Sequence, residues 1–137
     1  MTAVIDHPMQ ARLIAQPPAA RSLTASLRYE GSDPLAVQMV FPPDAALDGT
    51  EVTWTFSRDL LERGLGTAVG EGDVQVWPCG PESTVIELHS SEGVAVLEFR
   101  SADLRQFLFR SYETVPAGQE YRHLGLDRGL AALLRGV

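Results

Sequence analysis

Apolar and polar residues alternate through Glu51-Val-Thr-Trp-Thr-Phe56, placing Val52, Trp54 and Phe56 on one side of an extended chain. Glu51, Thr53 and Thr55 fall on the other side, the two-residue period of a half-buried strand. The pattern then turns helical. Ser57 is placed to cap the next turn, and Asp59 sits where a helix N-terminus favours negative charge. Leu60 and Leu61 face inward, and Gly64 is expected to end the helix. Val74 and Val76 restart a strand that Pro78 closes.

Similar patterns predict strands near 9–16, 22–30, 36–41 and 50–56, a helix over 58–64, and strands near 73–78, 84–90 and 94–100. Helices are expected over 102–112 and 127–135. Ser90-Ser-Glu-Gly93 reads as the turn of the last hairpin, with glycine free to take positive φ. Ser101 is expected to cap the long helix, with Asp103 in its first turn. Leu104, Phe107 and Leu108 follow i, i+3, i+4 spacing, and Tyr112 extends that face. Leu130, Leu133 and Leu134 repeat the spacing near the C-terminus. These elements make one α+β domain over residues 1–137, with seven or so mostly antiparallel strands and a short helix between two sheet halves. Gln16-Pro-Pro-Ala-Ala20 is a short connection, and no linker or repeat interrupts the chain.

The chain has 137 residues, enough for one core. No run of about 18 apolar residues suggests a membrane span. The N-terminus lacks the basic and apolar regions of a signal peptide, so a cytoplasmic location is expected. Cys79 is the single cysteine and has no partner for an internal disulfide.

Charge narrows the functional classes further. All eleven basic residues are arginine, which excludes a Schiff-base lysine, a P-loop lysine and a Ser-x-x-Lys pair. The net charge of −7 argues against a nucleic-acid binder, whose affinity comes largely from neutralising phosphates.

No chemistry-bearing constellation emerges. Gly64, Gly66, Gly70 and Gly72 follow a helix and precede a strand, the reverse of a phosphate loop, and read as a helix stop and a mobile loop. His7, His89 and His123 are not at metal-ligand spacing. His89 is expected to form a surface pair with Glu87. Cys79 has no basic neighbours to activate it. Ser57 and Ser101 read as helix caps, and no nucleophile elbow is present. The expectation is no enzyme activity, no metal and no cofactor. Trp54, inside a strand, reads as core, while Trp77 points opposite to Val74 and Val76.

Several segments together carry a family resemblance. They are Leu27-Arg-Tyr-Glu-Gly-Ser-Asp-Pro-Leu-Ala-Val37, Trp54-Thr-Phe-Ser-Arg-Asp-Leu-Leu-Glu-Arg-Gly-Leu65, Gly70-Glu-Gly-Asp-Val-Gln-Val-Trp-Pro78 and Val115-Pro-Ala-Gly-Gln-Glu120. In order and spacing, from 27 to 134, the chain resembles the SsgA-like proteins of actinomycetes, which control sporulation-specific cell division. The resemblance implies a Whirly-like fold, a homotrimer, and a non-enzymatic regulator acting at division septa. The implied partners are the tubulin-like division protein FtsZ or other SsgA-like proteins. The Whirly-like fold also keeps open a single-stranded nucleic-acid-binding function, a fold-level analogy only.

A regulator of this kind presents a surface in place of a pocket. Arginine and aromatic side chains dominate interface energetics. The candidates for partner binding are Arg58, Arg105, Phe109, Arg110, Tyr121 and Arg122. Trp77 and Phe109 are the candidates for an oligomer interface, since both fall off the expected core stripes.

Overall fold

The computed structural model describes residues 3–14, 20–43 and 49–123. The helix expected over 127–135 lies outside the described residues. Among the described residues, eight strands and two α-helices follow in the order β1 (Val4–Ile14), β2 (Ala20–Glu30), β3 (Ala36–Phe41), β4 (Val52–Ser57), α1 (Arg58–Gly64), β5 (Val69–Glu71), β6 (Val74–Cys79), β7 (Ser83–Ser90), β8 (Gly93–Arg100) and α2 (Ser101–Thr114). A 3₁₀ turn covers Glu120–His123.

All the strands belong to one antiparallel sheet, in the order β4-β3-β2-β1-β8-β7-β6-β5. Each half is a meander whose sequence neighbours pair directly. The halves join where Ala11, Arg12 and Leu13 of β1 pair with Phe99, Glu98 and Leu97 of β8. Helix α1 links the two outermost strands. Ser57, at the end of β4, donates from Oγ to the Glu71 carboxylate of β5 at 3.3 Å. Arg63 of α1 donates to Glu71 at 3.1 Å. One helix therefore draws both free edges of a nearly closed sheet together, which limits the unpaired backbone available for edge-to-edge association.

The core follows the two-residue period. Ala25, Leu27 and Tyr29 of β2, Val37 and Met39 of β3, Val74 and Val76 of β6, and Leu97 and Phe99 of β8 are buried. Helix α1 adds Leu60 and Leu61, and α2 adds Leu104, Phe107 and Leu108. Each of the Val, Leu, Met and Phe side chains among them contributes roughly 1.5–3 kcal/mol when fully buried.

The structure revises the sequence-based expectations at three places. The glycine-rich segment is not a simple loop: Val69–Glu71 pairs with Val74–Val76 to make the eighth strand, turning at Gly72 with φ +57°. Strand β1 begins at Val4, before Pro8. A proline normally interrupts a ladder, but β8 pairs with β1 only at residues 11–13, so Pro8 lies outside that short ladder. Ser101 does not cap α2. It is the first helical residue, it is buried, and its hydroxyl bonds Thr84 Oγ1 across to β7 at 2.7 Å. Ser57, in contrast, caps α1 as expected and accepts from the Leu60 N–H at 2.9 Å.

The expectation for Gly64 is met. It ends α1, but without positive φ. Its lack of a side chain matters because β6 presses against it: a Cβ there would lie 2.2 Å from Val76 Cγ1. Gly64→Ala should therefore destabilise the fold by about 1–3 kcal/mol, an overpacking cost that outweighs alanine's better helix propensity. Urea denaturation checks this. A variant as stable as the wild type would contradict the close approach of α1 to β6.

Candidate functional site

The junction of α1 and α2 is built on one buried arginine. Arg58 is the first residue of α1 and is only 2% exposed. Its guanidinium carbon lies 4.8 Å from the Tyr29 ring centre and 4.4 Å from that of Tyr112. Nη1 donates to the carbonyls of Ser111 at 3.1 Å and Val115 at 2.8 Å. Nη2 donates to Glu120 Oε1 at 2.9 Å. The group is thus desolvated by two aromatic faces and compensated by the carbonyl end of α2 and a carboxylate. A buried charge requires such pairing. Cations near a helix C-terminus also meet its partial negative charge.

The supporting residues are themselves held. Gly118, at φ +87°, turns its N–H to the Glu120 carboxylate at 2.9 Å. The Tyr29 hydroxyl donates to the Pro34 carbonyl at 2.8 Å. The Tyr112 hydroxyl donates to Glu62 of α1 at 2.5 Å. Burial and the hydrogen bond to Glu62 push the Tyr112 hydroxyl pKa well up, so it stays a donor. Burial also raises Tyr29. For Glu120, burial opposes ionisation, but hydrogen bonds from its own N–H, from Arg58 and from Gly118 prevail. Its carboxyl is held below the usual carboxylate range.

Beside this frame, a groove of about 420 Å³ runs between the helices, lined by Glu62, Leu65, Gly66, Arg105, Leu108, Phe109 and Tyr112. The four α2 residues are spaced i, i+3, i+4, i+7 and so form one helical stripe. Phe109 is 66% exposed. Arg105 is exposed one turn away. On the other flank, Arg110 donates to His7 Nδ1 at 3.0 Å, and the His7 ring meets Phe107 edge-on.

The candidate residues therefore separate. Arg105 and Phe109 share the groove, and Arg110 lies on the same helix towards β1. Tyr121 and Arg122 are exposed on the 3₁₀ turn, with the guanidinium carbon 5.8 Å from the Tyr121 ring centre. Arg58 is a correction: it is not at the surface, because two tyrosines and four acceptor atoms enclose it. Sequence reasoning missed Tyr29, Tyr112 and Glu120 as its partners; the signal was that the motifs beginning at Leu27 and Val115 contain Tyr29 and Glu120, whereas Tyr112 lies outside the motifs. Trp77 is half-buried on β6, opposite Val85 of β7. Trp54 is half-buried and packs against the core, as expected. Glu87 and His89 form the expected pair. Cys79 is an exposed free thiol. Among the described residues, no three His, Cys, Asp or Glu side chains form a group that could hold a metal ion. No helix among them is long and apolar enough to cross a membrane.

A family model described as "Streptomyces sporulation and cell division protein, SsgA" matches residues 23–120. This chain belongs to the SsgA family. Among curated relatives, the "Sporulation-specific cell division protein SsgB" of Streptomyces coelicolor is 38% identical over 137 residues, covering 98% of both chains. The SsgB of Kineococcus radiotolerans is 39% identical over 135 residues, 95% of this chain and 79% of its own. The chain is thus an SsgB-like member of the SsgA family. Its fold matches the crystal structure of an SsgA-like sporulation-specific cell division protein from Thermobifida fusca. The TM-score is 0.82 at 37% identity, over 95% of each chain. A second solved structure, from work on SsgB mutations that correlate with longitudinal cell division in sporulating Streptomyces coelicolor, matches with a TM-score of 0.80 at 36% identity. It covers 90% of this chain and 97% of its own.

In this SsgA-family chain, Arg58→Met should cost about 3 kcal/mol or more, because it strands Glu120 and two carbonyls while removing the cation between the tyrosines. A loss under about 1 kcal/mol in urea denaturation would contradict the hub role. The lowered Glu120 pKa also has a direction in pH. Its contribution is fully present above the unfolded carboxylate value, near 4.3, and is lost as pH falls through the lower folded value. Glu120→Gln should therefore flatten the fall in stability below about pH 4.3, read from urea midpoints at a series of pH values. An unchanged pH profile would remove Glu120 as its source.

Proposed function

We propose that this chain is a non-enzymatic regulator of sporulation-specific cell division that works by protein–protein contact at the septum. The observation that carries the reading is similarity over 98% of both chains to a protein named for sporulation-specific cell division. The α1–α2 groove supports a contact role. An aromatic residue left two-thirds exposed beside an exposed arginine is the composition of interface hot spots. The finer reading is that the chain helps position or assemble the septum by recruiting FtsZ or by joining other SsgA-like proteins.

A fluorescent fusion followed in its host should concentrate at septa as they form. Diffuse signal throughout septation would refute the division role. The same reading includes a homo-oligomer, a trimer, with half-buried Trp77 at its interface. Light scattering at micromolar concentration should give a mass well above 14.9 kDa. A monomer mass would refute assembly while leaving the septal role standing.

A further inference from the structure

Arg105 differs from most of the arginines around it, although Arg100, at the start of α2, is likewise exposed. Arg12 pairs with Glu98, Arg28 with Asp6, and Arg63 with Asp59 and Glu71. Arg58 is enclosed, and Arg110 bonds His7. Arg105 is exposed, and its side chain makes no hydrogen bond or ion pair with a described residue. The helix itself supplies no partner: Ser101 and Phe109 stand four residues away, and Ala102 and Leu108 three. Its place early in α2, away from the C-terminus, gains nothing from the helix dipole. Five guanidinium donors therefore face solvent at the lip of the groove. Across the groove, Glu62 already accepts from Tyr112. Glu62 keeps its negative charge on the α1 wall, and Arg105 is the cation among the groove's lining residues.

Phe109 stands one turn on, with Leu65 and Leu108 also lining the groove. Side chains four apart on a helix lie roughly 5–6 Å from each other. We propose that the α1–α2 groove docks a protein segment that presents a carboxylate beside an apolar side chain. The carboxylate pairs with Arg105, and the apolar side chain packs on Phe109 and enters between α1 and α2. This rests on the contact role proposed above and adds the recognition chemistry. A carboxylate suits Arg105 because the planar guanidinium can take it through two parallel N–H···O bonds. The apolar lining favours such a segment over a nucleic-acid strand, which needs several clustered cations where the groove lining supplies Arg105 alone.

The test is selection of displayed random 12-residue peptides on the folded full-length chain. Enriched peptides should carry Asp or Glu two to four positions from Leu, Ile, Met or Phe. Synthetic copies should shift the amide resonances of residues 62–66 and 105–112. Their affinity should fall at least tenfold on Arg105→Glu and on Phe109→Ala, with both variants retaining the wild-type circular dichroism. Replacing the peptide's acid with lysine should restore binding to Arg105→Glu. Several results would overturn the proposal: no enriched binders, binders lacking an acidic residue, affinity unchanged in Arg105→Glu, or an oligothymidine that moves the same amides at physiological salt. A failed selection alongside normal septal localisation sinks only the recognition chemistry. Diffuse localisation of the wild type sinks the contact role at septation on which it rests.

Discussion

The guanidinium of Arg58 is the interaction on which the arrangement of both helices depends. It begins α1, yet its donors go to the carbonyl end of α2 and to Glu120 beyond it. Two tyrosines, one from β2 and one from α2, close over its faces. A cation so enclosed is stable only if every neighbour holds its place, since a buried charge with a missing partner is expensive. The cluster therefore specifies a geometry. It sets how far α2 runs, where the chain turns after Val115, and how α1 lies against it.

That geometry also governs the sheet. Helix α1 carries Arg63 and follows directly on Ser57, and both side chains reach Glu71. The two edge strands are drawn towards each other by the helix that Arg58 anchors. Gly64 lets β6 come close enough to complete the packing. The outer surface of the two helices then follows: Tyr112 is tied to Glu62, and Arg105 and Phe109 are left pointing outward at the groove. The proposed docking surface is in this sense the exposed side of the frame that Arg58 holds together.

Much of this was legible in the sequence, for reasons of periodicity. The α+β class, α1 over residues 58–64, the Ser57 cap, the core face of α2 and the exposure of Phe109 all follow from 2- and 3.6-residue patterns and cap chemistry. The three-residue strand β5 was not legible, because glycines at 66 and 70 mask so short a pattern and its pairing depends on the β6 register. Ser101 misled because a serine before a helix signals a cap, whereas here a tertiary hydroxyl partner, Thr84, claims it. Arg58 misled most. An arginine is normally a surface residue, and its burial depends on Tyr29, Ser111, Val115 and Glu120, which are 29 to 62 residues distant. The motifs beginning at Leu27, Trp54 and Val115 nevertheless meet at this single group. The motifs thus record a structural constraint, while the proposed contact surface lies beside it on α2.

The central claim is that the internal frame presents the α1–α2 groove to a division partner. Its most direct test is a photo-cross-linking amino acid placed at Phe109, with a control at Thr53 on β4, activated in the host during septum formation. The account requires a cross-link from position 109 to an identified septal division protein, appearing with septation, and none from position 53. Equal cross-linking at both positions, or none at 109 while the protein sits at septa, would contradict it.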